Sequence, residues 1–214
     1  MPELPSPAAA EPSLADELRP AYDVSDAVAV VAETDAATAW DALMDVDLLE
    51  LGRRAPVVGL LGALRMLPEA AGHLLHGELP PKPPESMRLR DLPSMPMYEG
   101  GWILLGERPG EEIALGLVGK FWRPVIEFAP IGSAAEFREF DEPGFAKTVY
   151  DLSARELDSN RTLLSGLMRT ATTDEHARRW FRRYWTFGIG SGAHILVGSV
   201  LESARRAAEG DAEA

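Results

Sequence analysis

TDEHARRWFRRYWTFGIGSGAHILVGSVLESARRAAEG, residues 173–210, is the longest run of helix-forming residues in the chain, and its reading decides the fold. Thr173 stands at the N-cap position, and Asp174 and Glu175 lie where the positive end of a helix dipole favours carboxylates. Arg205 and Arg206 lie in the last turn, where cations are favoured, and Gly210 supplies a stop. Ala177, Trp180, Phe181, Tyr184 and Trp185 recur at helical spacing, and Ile195, Leu196, Ser199, Val200 and Leu201 continue the pattern. A face that broad needs a sheet to lie on. Between the halves, Gly188, Gly190 and Gly192 each cost a helix about 1 kcal/mol relative to alanine, so a kink or short break is expected there.

Working back from the helix, Phe145–Leu157 and Arg161–Thr172 read as two long strands joined by Asp158-Ser159-Asn160. Before them, Trp102–Glu107 and Glu112–Lys120 flank Arg108-Pro109-Gly110-Glu111, the turn chemistry of an antiparallel hairpin, and Phe121–Phe128 supplies a further strand interrupted by Pro124. At the other end, Val24, Val28, Val30 and Val31 mark a strand within Tyr22–Glu33. A short helix capped by Thr34 or Asp35 follows and carries Trp40, Leu43 and Met44. Asp47–Leu51 reads as another helical turn ended by Gly52, and Val57–Leu79 as an apolar helical hairpin divided by Pro68. Residues 1–18, rich in Pro, Ala and acidic side chains, read as a disordered tail, leaving 19–210 as one domain. Strand, helices, antiparallel strands and a long helix make an α+β chain with a curved sheet gripping the last helix.

Composition narrows the function. Thirty-four acidic against 21 basic residues in 214 give a net charge of -13, which repels nucleic-acid phosphates and anionic membrane surfaces. There is no cysteine, so disulfides, thiolate metal ligands and a cysteine nucleophile are excluded; a cytoplasmic location and no membrane span are expected. The order Gly188-Ile189-Gly190-Ser191-Gly192 has the wrong spacing for a dinucleotide fingerprint, and Gly119-Lys120 lacks the rest of a phosphate loop. His73 and His76 share a helical spacing, but two ligands are too few and only Glu69 and Glu78 are nearby carboxylates at a telling spacing, so neither metal nor cofactor is expected; His176 and His194 read as isolated.

Polar groups on the strands are the better candidates. Period two puts Val149, Asp151, Ser153 and Arg155 on one face and Thr148, Tyr150, Leu152 and Ala154 on the other, so Tyr150 points toward the helix. Arg169 alternates with apolar partners and demands an acceptor, for which Glu127 or Glu107 is available; a plain salt bridge or a solvent-facing side chain is the alternative.

The run Gly116-Leu117-Val118-Gly119-Lys120-Phe121-Trp122, then Pro143-Gly144-Phe145-Ala146-Lys147, Arg169, Thr173-Asp174, Ala177-Arg178-Arg179 and Tyr184-Trp185, resembles the SRPBCC superfamily, in its START-like, polyketide-cyclase-like branch of actinobacterial type. The resemblance spans about residues 20–209. It implies a helix-grip fold of the START/Bet v 1-like kind, a curved antiparallel sheet wrapped around a long C-terminal helix with an apolar cavity between them. It also implies binding of a small hydrophobic molecule, a lipid, a polyketide or similar. On that expectation Trp102, Trp122, Tyr150, Met168 and Trp185 wall the ligand site, with Arg169 and Glu127 as its polar anchor. A cyclase or dehydratase acting on a polyketide-like substrate, and a partner-binding module using Val57–Leu79, are the alternatives. One departure stands out: where the family carries a Thr-Glu-Thr-Arg-like stretch on the last strand, this chain reads Gly166-Leu167-Met168-Arg169.

Overall fold

The computed structural model describes residues 12–19, 21–54, 84–94 and 101–210. The expected apolar hairpin at 57–79, with His73 and His76, lies outside the described residues. The elements are α1 (Leu14–Leu18), β1 (Val24–Ala32), α2 (Ala36–Met44), α3 (Leu48–Arg54), a short 3-10 helix (Leu89–Ser94), β2 (Ile103–Arg108), β3 (Glu112–Lys120) and β4 (Glu127–Phe128). There follow α4 (Ala134–Glu139), β5 (Ala146–Asp158), β6 (Arg161–Thr172), α5 (Glu175–Tyr184), a π-helical turn (Trp185–Ile189) and α6 (Gly190–Ala208). The chain is α+β, and its curved antiparallel sheet runs β1-β6-β5-β3-β2, with β4 paired to the end of β3.

Both faces of the sheet are covered. On the inner face α2 and α6 pack Trp40, Leu43, Val200, Leu201 and Ala204 against Ile113, Leu115, Leu152 and Leu164. On the outer face α1 and α4 bury Leu14, Ala15 and Phe137 against Ile103, Leu105, Ala114, Val118 and Val149. Strand β3 is therefore buried along nearly its whole length, and the usual apolar–polar alternation vanishes there. Gly166 on β6 sets the closeness of the inner layer, because a Cβ added there would come within 2.5 Å of Val197 Cγ1 on α6. Lys147 is buried on the outer face and donates to the carbonyls of Arg138 (3.1 Å) and Phe140 (2.8 Å) at the end of α4; burial, with Arg19 nearby, pushes its ammonium down to about 8.

Several elements differ from the sequence reading. The tail expected over 1–18 is ordered helix at Leu14–Leu18, closed by a capping box in which Ser13 Oγ accepts from the Asp16 N–H and the Asp16 carboxylate accepts from the Ser13 N–H. Helix α3 continues through Gly52 to Arg54, and the strand expected over Phe121–Phe128 shrinks to Glu127–Phe128, since Pro124 cannot donate to a ladder. Asp174, not Thr173, caps α5, accepting from the Ala177 N–H at 2.7 Å. The glycine joint is a π turn, which adds a residue to the winding and shifts the phase of everything after it. Hence Ile195 and Leu196 are exposed while Val200, Leu201 and Ala204 are buried. Before the turn, Trp180 of α5 is exposed beside buried Ala177 and Phe181, so the buried face of α5 is narrower than the sequence pattern suggests.

Candidate functional site

Strand register lays the inner face out in rows. Val28, Gly166, Leu152 and Ile113 form the row crossed by α6; Asp26, Met168, Tyr150 and Leu115 form the next; Val24, Thr170, Thr148 and Leu117 form the third, toward the π turn. Polar groups thus enter an apolar face one row past the point of closest helix contact. Thr148 Oγ1 and Thr170 Oγ1 satisfy each other at 2.9 Å, so that buried pair is closed. Tyr150 meets Trp102 edge to face at 5.3 Å between centroids, and burial pushes its phenol up to about 12, which keeps it protonated at any physiological pH.

Asp26 is the anomaly in β1. Its strand alternates Val24, Asp26, Val28, Val30 inward against Ser25, Ala27, Ala29, Val31 outward, so the carboxylate stands in the apolar stripe. Its partner is His194 on α6, whose Nδ1 lies 3.1 Å from both carboxylate oxygens. A carboxylate only accepts, so in this contact Nδ1 carries the hydrogen and the ring is oriented by it. The His194 side chain is 54% exposed and that of Asp26 24%, which sets the pair at a mouth and not in the core. Between β1 and the π turn a cleft of about 460 Å³ is lined by Ser25, Asp26, Trp185, Thr186, His194 and Ile195. Trp185 forms its apolar wall, stacked at 6.1 Å and 24° on Phe181, which in turn meets Trp122 and Phe121 edge-on.

Of the residues singled out from sequence, Trp102, Tyr150 and Met168 meet on the inner face and Trp185 lies on the cleft. Trp122 packs behind Trp185 against Phe181. The structure does not bring the expected anchor residues Arg169 and Glu127 together. Arg169 follows Met168 directly and so points to the outer face, where it donates to the carbonyls of Ala15 (3.1 Å) and Arg19 (3.3 Å) and to Asp16 Oδ1 (2.6 Å). Glu127 sits at the far end of β3, paired with Lys120 at 2.5 Å and with Arg123, and is not near Arg169. The sequence reading missed Asp26 and His194. Two signals were available: Asp26 shares the parity of Val24, Val28 and Val30, and His194 shares the helical spacing of Val197, Leu201 and Ala204.

Among the described residues no group of three or more His, Asp or Glu is placed to hold a metal ion, and no helix is long and apolar enough to cross a membrane. A second cleft, of about 310 Å³ beside α2, α3 and the end of α6, is lined by Asp45, Asp47 and Glu50. Its carboxylates are committed: Asp45 to Arg88 and Arg90, Asp47 to the Leu49 and Met87 N–H groups, and Glu50 to Arg54.

The solved structure of a conserved protein from Geobacillus kaustophilus is similar over 88% of this chain and 97% of its own, at 10% identity and a TM-score of 0.39. That of the ZhuI aromatase/cyclase from Streptomyces sp. R1128 is similar over 86% and 94%, at 14% identity and a TM-score of 0.27. No protein-family model and no curated protein matches the chain. At those scores neither likeness bears on the chemistry of the site.

Proposed function

We propose that the protein is a helix-grip domain of the SRPBCC, START-like kind that binds a small, largely apolar molecule at the joint of its C-terminal helix. The ligand's apolar body lies against Trp185 and, where the helix joint yields, against Met168, Tyr150 and Trp102. Its one polar group meets the Asp26–His194 pair. The observation that carries this reading is the oriented imidazole, set on the edge of an apolar inner face beside an indole-walled cleft. A ligand hydroxyl or enol would donate to Nε2 when His194 is neutral, and a ligand carboxylate would accept from it when His194 is protonated.

The test is titration with an environment-sensitive dye and with a fluorescent fatty acid, alongside native mass spectrometry of freshly purified protein. Saturable binding that weakens about tenfold in His194→Ala and is displaced by the copurifying molecule is the expected result; such a loss corresponds to about 1.4 kcal/mol. No binding by either probe, with no copurifying mass, would overturn it.

A second reading has one specific support. The Asp26–His194 contact puts the hydrogen on Nδ1, and Nε2 has no partner among the described residues, so a cyclisation or dehydration that begins by removing a proton beside a carbonyl is within its chemistry. Turnover of a polyketide-like substrate that disappears in His194→Gln while dye binding persists would favour the enzyme over the binder.

A further inference from the structure

The outer face of the sheet carries a device that the ligand site does not use. Helix α1 has only five residues, too few to hold itself together in water, and it is fastened at both ends. At its start the N–H of Leu14 donates to Glu112 Oε1 at 2.9 Å and the N–H of Ala15 to Asp151 Oδ2 at 2.7 Å, so two carboxylates on neighbouring strands grip two successive backbone amides. At its end Arg169 takes the carbonyls of Ala15 and Arg19, and its guanidinium lies 4.7 Å from the Tyr22 ring. Between these clamps Leu14 and Ala15 supply the buried apolar contact, with Leu14 over Gly106.

The charges around the first clamp are unequal. Four carboxylates, Asp16, Glu17, Glu112 and Asp151, gather from α1, β3 and β5, and two cations, Arg108 from β2 and Arg169 from β6, face them. Arg169 pairs with Asp16, and Arg108 serves both Glu112 and Glu17 while also donating to the Pro12 carbonyl at 3.0 Å. Asp151, only 3% exposed, has no ion pair among the described residues. It has the Ala15 N–H and the neighbouring Glu112 carboxylate.

We propose that residues 12–19 are a proton-linked strap, docked tightly over the sheet when the Asp151–Glu112 pair shares one proton and loosened when that proton leaves. With the proton in place, the Asp151 hydroxyl donates to Glu112 while its other oxygen accepts from Ala15, and the single remaining negative charge faces Arg108. With it gone, two buried carboxylates oppose each other under a segment that α1's few apolar contacts do not hold by themselves. The burial that docking imposes, with the charge of Glu112, raises Asp151 from an ordinary 3.8 to about 7. Because the docked state has the higher value, docking takes up a proton; it is strongest at mildly acidic pH and weakens as pH rises toward and through 7. Between pH 6 and pH 8 the docking equilibrium falls about tenfold. Asp16, held low by Arg169, keeps its charge throughout that range, and Lys147, on the same face of β5 with its ammonium pushed down to about 8 by burial, titrates only at the upper end of it.

Hydrogen exchange of the full chain tests this, read at the amides of Leu14–Arg19 and corrected for intrinsic exchange at each pH. Protection in the wild type should drop about tenfold from pH 6 to pH 8 while that of β5 and β6 stays level. Asp151→Asn should give a flat profile, since the carboxamide accepts from Ala15 and donates to Glu112 without titrating; Glu112→Gln should flatten it likewise. A flat wild-type profile, or the same drop in Asp151→Asn, overturns the proposal. If the variants do not fold, the carboxyl carbon resonance of Asp151 decides it in the wild type: a midpoint near 7 supports the strap and one near 4 overturns it.

Discussion

Gly166→Ala offers the most direct measure of how the helix is gripped. The new Cβ would stand 2.5 Å from Val197 Cγ1, 3.3 Å from Leu152 Cδ2 and 3.9 Å from Leu201 Cδ1. Ordinary carbon contacts lie at about 3.5–4.0 Å, so the first overlap is more than about 1 Å. Val197 cannot swing aside, because a β-branched side chain in a helix has one strongly preferred rotamer, and Leu152 and Leu201 close the space around it. Overpacking of this kind costs about 1–3 kcal/mol, offset by about 0.4–1 kcal/mol from the narrower unfolded ensemble of alanine. The net loss is about 1–2 kcal/mol, and at about 2–4 °C per kcal/mol for a domain of this size the melting temperature falls by about 2–8 °C. Thermal melts followed by circular dichroism of the wild type, Gly166→Ala, Val197→Ala and the double variant form the assay. Removing the valine methyls should relieve the clash, leaving the double variant more stable than the two separate losses imply. Additivity within about 0.5 kcal/mol would refute the reasoning, since it would mean that Gly166 and Val197 do not touch.

Gly190→Ala acts on the ligand site, because its Cβ would come within 2.8 Å of the Trp185 indole; tryptophan fluorescence should shift and dye affinity change more than the melting temperature, and equal melting shifts with and without dye would count against a functional joint. Arg169→Met should loosen the N-terminal strap by about 1–3 kcal/mol, seen as faster proteolysis at residues 12–19, and leave dye binding unchanged. Loss of dye binding with the strap still protected would return Arg169 to the ligand site.

The layout of the fold was largely legible, because long amphipathic and alternating segments report their own faces. Both hairpins, Trp102 to Lys120 and Phe145 to Thr172, were readable from turn residues and period two, and the glycine joint from propensity alone. The failures have specific causes. Leu14–Leu18 is too short to announce itself, and what orders it is supplied by Glu112, Asp151 and Arg169, roughly 100 to 150 residues away. The winding of the π turn depends on how Trp185 and Gly190 pack, so the phase of α6 could not be extrapolated across it. Arg169 and Met168 are adjacent on β6 and so point to opposite faces, a separation that period two alone implies. The Asp26–His194 pair joins a strand to a helix 168 residues later, a meeting that only the packed tertiary structure defines.

The position of β1 at the edge of the sheet has a consequence for how the chain is made. Among the described residues its ladder partner is β6, with Val24 opposite Thr170 and Ala32 opposite Thr162. Threading from the ribosome in order, β1 emerges long before β6, and α1 emerges before Glu112, Asp151 and Arg169, which fasten it to the sheet. Hairpins β2–β3 and β5–β6 close locally and early, whereas β1 and α1 must wait for nearly the whole domain. The nascent N-terminal segment therefore carries its valine-rich strand through most of synthesis before β6, the partner that pairs it from Val24 to Ala32, has been made.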